Sequence, residues 1–379
     1  MWKSGSEWQQ NTFKMKTTIG ILLTGVAAAF CANGEVKETG PRQMVGTKNV
    51  LTILVQTPDS SNVNSYAATI SAMNLVASRT AQSSYNRLIL HPEVVPSVLM
   101  LPHTAAYYNA IKSTPVKYEA LRVDAVNAAS QVGYAITPSD YMNYDRVVIV
   151  LPRSALNIND YAYHTVFVGN IISTCLMHEL GHDWLFQHSG LWKVTDGNPI
   201  SPNGTLLPYG DVFDIMGDTF ASDTAHDYNL YHKYWAGWID DSQVATVATR
   251  GTYTYTISRF DNVNAVGLLA IKIPVSTGRD YWVSFMRNFL NWTDAQRTSA
   301  FGAYILRVSY PHTPPVQNQF PFIDNRVELI DTQTPGANPG DACLPVGKTF
   351  NDAVNGITIT TVAQGGTAPF EWIKIRVKR

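Results

Sequence analysis

Residues 177–190 read MHELGHDWLFQHSG, and no other stretch limits the possible folds so strongly. Three histidines and a glutamate fall within eleven positions, flanked by the apolar runs IISTCLM and WLF. Apolar residues on several sides mark a helix in a domain core. His178 and His182 stand at i and i+4, so both leave the same face, and Ile171, Cys175 and Leu185 extend that stripe. Two imidazoles one turn apart can reach a single ion at Zn–N distances of ~2.0–2.1 Å. Glu179 adjoins the first histidine, close enough to polarise a water on the ion without ligating it. That is the mechanical content of H-E-x-x-H. A chance match on a solvated helix would not carry these flanks, and burying such groups without compensation is costly.

His188 follows with the spacing of H-E-x-x-H-x-x-G-x-x-H, in which the helix ends just after the second ligand and the chain turns to bring in a third. Three protein ligands around tetrahedral zinc leave one position for water, the catalytic arrangement. Downstream, LPYGDVFDIMGD (207–218) places Met216 in a tight turn, read as the hydrophobic base beneath a metal. Asp211 and Asp214 are expected to fix that turn through backbone amides. His226 and His232, flanking DYNLY, are expected to play a structural part behind it. No Ser-His-Asp or Cys-His pattern competes, no G-x-S-x-G occurs, and Cys175 has apolar rather than electropositive neighbours.

With 379 residues, 45% of them hydrophobic, the chain can bury one large core or two modest ones. A net charge of −1 gives no electrostatic reason to expect nucleic acid or an anionic membrane as partner. Lys14 and Lys16 precede the apolar run IGILLTGVAAAF and small residues, the form of a secretory signal peptide over residues 1–34. Cleavage fits after Ala29 or Gly34, and Met15 is an alternative start. The run is shorter than the ~20 residues that a membrane span needs, so the mature form is expected to be exported and free of the membrane. Cys31 then leaves with the signal. Cys175 and Cys343 either pair or stay as buried thiols. Asn203 and Asn291 fit the glycosylation sequon.

Strand-like runs at 49–57, 87–101 and 144–152 alternate with helical patterns at 65–82 and 117–133, which implies an α/β domain. After about residue 240, short β-branched runs separated by Pro and Gly predict an all-β sandwich or jelly-roll-like module. The expected division is 48–240 and 241–379.

The pair HELGHDWLFQHS and YGDVFDIMGD, followed by HKYWAGWI (232–239), resembles the gametolysin-type metzincins, secreted zinc metallopeptidases. The likeness covers roughly residues 48–240 and continues more weakly through 327–359. It implies an α/β (α+β) zincin catalytic domain with one zinc on His178, His182 and His188, Glu179 as general base and Met216 in the turn. It further implies a protein or glycoprotein substrate. Calcium is left open. Where the family pattern has glycine, this chain has Leu185. Either the turn is built differently or Leu185 takes a backbone conformation that side chains resist. Asp211, Asp214 and His226 are the substitute ligands to consider. PRQMVG (41–46) is similar to the metal-blocking prosegment of some metzincins but lacks its cysteine. The competing reading is a degenerate scaffold that binds an extracellular polymer, with FLNWTD or APFEW supplying aromatic contacts.

Overall fold

A computed structural model describes residues 44–162, 164–217, 227–287, 300–310, 326–335 and 339–379. The signal-like segment 1–34, Cys31, His226, Asn291 and FLNWTD lie outside the described residues.

The chain opens with β1 (Gly46–Gln56), then α1 (Tyr66–Ser83), β2 (Leu88–Val94), β3 (Leu99–Met100), α2 (Ala105–Ala110), α3 (Thr114–Gln131), β4 (Arg146–Val150), β5 (Asn159–Ala162) and β6 (Thr165–Val168). The strands form one sheet of order β2-β1-β4-β6-β5, with β3 also on β1; only β5, at the edge, runs antiparallel. Such a sheet needs cover on both faces, and the side-chain period of two supplies it. Val50, Leu54, Val148, Val150 and Val166 face the core shared with Met73 and Val76 of α1. Leu51, Ile53, Val147, Ile149 and Phe167 face the opposite core, closed by Leu121, Ala125 and Val126 of α3. Helix α1 starts where Ser65 accepts from the Ala68 amide, an N-cap just ahead of the apolar stripe.

Next come α4 (Ser173–Asp183), β7 (Ser189–Lys193), β8 (Thr205–Leu207) and α5 (Leu230–Trp235). Then follow β9 (Val244–Thr246), β10 (Thr252–Ser258), β11 (Ala270–Ser276), β12 (Arg279–Ser284), β13 (Tyr304–Ser309), β14 (Arg326–Leu329), β15 (Thr349–Asp352), β16 (Ile357–Gly365) and β17 (Trp372–Lys378). A seven-stranded sheet, β8-β7-β14-β13-β12-β11-β9, packs against a four-stranded one, β10-β17-β16-β15. Between them lies a core including Ile271, Val283, Ile305, Ile359 and Ile375. The chain is therefore mixed α/β, with a β-rich second part built on two facing sheets.

The seven-stranded sheet takes strands from both sides of residue 240. β7, immediately after the histidine segment, pairs in parallel with β14 through Val327–Ser189 and Leu329–Leu191. Its other face, with Trp282, Leu306 and Val327, joins the core that holds α4 and α5. One continuous core thus backs the histidine helix from both sheets.

Candidate metal centre

Helix α4 is buried along nearly its whole length, and His178 and His182 project from it one turn apart. The helix closes with two hydrogen bonds, Leu185 N–H to the His182 carbonyl and Phe186 N–H to the Gly181 carbonyl, each 2.9 Å. Together they form a Schellman termination, whose C′ position requires a left-handed backbone. Leu185 occupies it at φ +66°. The turn is therefore built as a glycine would build it, and Leu185 carries a strain of about 1–2 kcal/mol.

That turn brings His188 back to the helix. The ligand nitrogens of His178, His182 and His188 all lie within 4.8 Å of one another, and they form the only such group among the described residues. His178, His182 and His188 would together hold one zinc ion, leaving its fourth position to water. His178 Nδ1 lies 2.8 Å from the Ile215 carbonyl, and His182 Nδ1 lies 3.0 Å from the Phe186 carbonyl. Each carbonyl accepts a hydrogen bond from Nδ1–H, which fixes the tautomer and leaves Nε2 as the electron-pair donor. Burial pushes His178 down to about 3 and His188 down to about 4, with His182 nearby adding to both; burial also lowers His182. All three rings are neutral at neutral pH, the form that binds a metal. The donor set, tautomers and charge state fit zinc.

Glu179 is buried on the same helix, adjacent to His178. Burial, then the charge of Asp160, pushes its carboxyl up to about 8. Asp160 itself accepts from the Tyr118 hydroxyl at 2.6 Å.

Met216 is fully buried, with its sulfur against Gly181 of α4. The turn around it is organised by Asp214. Oδ1 accepts from the amides of Met216 at 3.2 Å and Asn229 at 3.1 Å. Oδ2 accepts from the Ser189 hydroxyl and from Asn229 Nδ2, the latter at 2.6 Å. His232 Nδ1 sits 3.2 Å from the same oxygen, close enough to pair though off the line of a hydrogen bond. Burial opposes charge on Asp214, but His232 and these donors hold its carboxyl below the ordinary value. Asp211, buried beside that charge, is pushed up. It accepts from the Phe213 amide at 3.0 Å. Both aspartates are thus engaged in the turn rather than offered to the histidines, and His232 stacks on Phe186 at 4.8 Å.

Two neighbours escaped the sequence reading. The Tyr209 ring lies 4.0 Å from His188 and 6.1 Å from His178, and its own backbone is left-handed at φ +58°. Tyr161 stacks at 6.4 Å from His182. Tyr209 belongs to the YGD segment already noted, but nothing in its spacing places the ring over the third histidine. Cys175 and Cys343 are buried thiols that are not joined in a disulfide, each pushed up to about 12 chiefly by burial. Of the aromatic candidates for polymer contact, Phe370 is exposed.

No protein-family model matches this chain, and no curated protein does either.

Proposed function

We propose that the chain is a secreted zinc-dependent endopeptidase of the metzincin kind, acting on extracellular protein or glycoprotein. The observation that carries this reading is the His178–His182–His188 cluster, with two rings anchored through Nδ1 and Glu179 beside them. When bound there, zinc supplies a Lewis acid and acidifies a water toward a pKa of ~7. The positive charge of that ion would favour the carboxylate form of Glu179, which would serve as general base, taking a proton from the attacking water and delivering it to the departing amine. The carbonyls of Ile215 and Phe186 orient the His178 and His182 imidazoles, and Tyr209 walls the site beside His188.

Export rests on the N-terminal segment. Among the described residues no helix is long and apolar enough to cross a membrane. Leu185, standing where the family pattern has glycine, forms the turn that returns His188. The test is hydrolysis of denatured casein by wild type and Glu179→Ala, with zinc content measured on both. Wild type should hold zinc and cleave, while the variant holds zinc and does not cleave. A zinc-loaded wild type that cleaves nothing would overturn the reading.

A further inference from the structure

The seven-stranded sheet carries a second feature unrelated to the histidines. On its face toward the four-stranded sheet, residues two apart along each strand share a side. At the centre these positions are apolar, with Val283 and Ile305 in the inter-sheet core. One step outward, the register aligns Tyr281, Arg307 and Glu328 across β12, β13 and β14. One step further it aligns Arg279, Ser309 and Arg326. These rows floor an open cleft of about 810 Å³ at the end of the sandwich, beside the turn containing Asp352 and Asn355.

The inner row is internally neutralised. Arg307 Nε donates to Glu328 at 2.6 Å, and its guanidinium lies 3.9 Å from the Trp192 ring centroid. Tyr281 donates to Asp352 at 3.0 Å. The outer row has no such balance. Arg279 and Arg326 are both exposed, and neither has a carboxylate partner among the described residues; Arg279 only approaches the Ser309 hydroxyl at 3.4 Å. Two guanidiniums without a carboxylate partner among the described residues, at the mouth of a polar cleft, select an anion, because a planar fork of donors matches carboxylate and sulfate oxygens.

We propose that this cleft binds an acidic glycan, a chain of sugars bearing carboxylate or sulfate groups. Arg279 and Arg326 stand two strands apart, so their backbones are separated by roughly 10 Å. Same-face side chains of an extended peptide recur at only ~6.6–6.8 Å, a poor match to that pair. Acidic groups on alternate sugars are more widely spaced, and the hydroxyls between them would meet Ser201, Thr277, Ser309 and Asn355, which also line the cleft. Nothing in this site uses the zinc ligands, so it stands or falls separately from the peptidase reading.

The test is calorimetric titration of the full chain with oligogalacturonate, with a sulfated dextran oligomer, with neutral dextran and with a poly-glutamate peptide. Binding is expected for one or both acidic glycans, weakening as salt rises, and not for neutral dextran. Arg279→Ala and Arg326→Ala should each weaken it roughly fivefold, and the double variant more than tenfold. Both side chains are exposed, so an unchanged thermal unfolding profile separates lost binding from lost fold. Carboxylate-only or sulfate-only binding identifies the group recognised. The proposal is overturned if wild type binds neither acidic glycan, if the double variant binds as well as wild type, or if poly-glutamate binds more tightly than both.

Discussion

A Cβ placed on Gly181 would stand 2.5 Å from the sulfur of Met216. The histidine helix and the methionine turn are thus in contact at the residue preceding His182. Gly181→Ala should displace the turn and, with it, the Ile215 carbonyl that holds His178. Overpacking of this kind costs about 1–3 kcal/mol. Thermal unfolding with zinc titration checks it: both stability and zinc affinity should fall. Wild-type values would mean that Met216 does not support the site.

Leu185 offers a test of the turn. Its left-handed backbone is tolerable for leucine and free of steric cost for glycine, so Leu185→Gly should leave zinc binding intact and stability within about 1 kcal/mol. Leu185→Val places a β-branched residue in the same region and should destabilise clearly more. Equal unfolding midpoints for the two variants would contradict the left-handed geometry.

Asp214 joins three segments: Ser189 next to the third histidine, the methionine turn, and α5 through Asn229 and His232. Asp214→Ala leaves these buried donors without their acceptor, a loss of about 3–5 kcal/mol by analogy with broken buried pairs. Zinc affinity should fall ~10–100-fold, as it does when groups behind metal ligands are removed. Chemical denaturation and a competitive zinc chelator read the two effects.

The two buried cysteines make a chemical prediction. Only a thiolate attacks a disulfide reagent, and burial keeps the Cys175 and Cys343 thiols protonated at neutral pH. Neither should label in the native protein, and both should label after unfolding without a reductant. Mass spectrometry of the labelled peptides decides it; a Cys175–Cys343 disulfide would leave both unlabelled in either state.

Much of the site was legible in the sequence because its chemistry is periodic. His178 and His182 share a face by helical spacing, and the apolar flanks declare the helix buried. The β-branched runs of β1 and β4 likewise read as strands of an α/β domain. The backbone state of Leu185 was not legible, since the amino acid alone argued against the conformation it adopts. Nor was the placement of β7, with β8 beside it, in a sheet made otherwise of residues beyond 240. SGLWK is too short to carry a pattern, and its pairing with β14 is a contact between distant parts of the chain. Tyr209 and the Arg279–Ser309–Arg326 row were hidden for the same reason: each is a juxtaposition created only when separate segments fold together.

The most direct test of the central claim is the zinc coordination shell, measured by metal analysis and X-ray absorption on the purified wild-type chain and on His188→Ala. The expected result is one zinc per chain with three imidazole nitrogens at ~2.0–2.1 Å and one light non-protein ligand, reduced to two imidazoles or lost in the variant. A chain without zinc, or one whose coordination shell is unchanged by the loss of His188, would contradict the account.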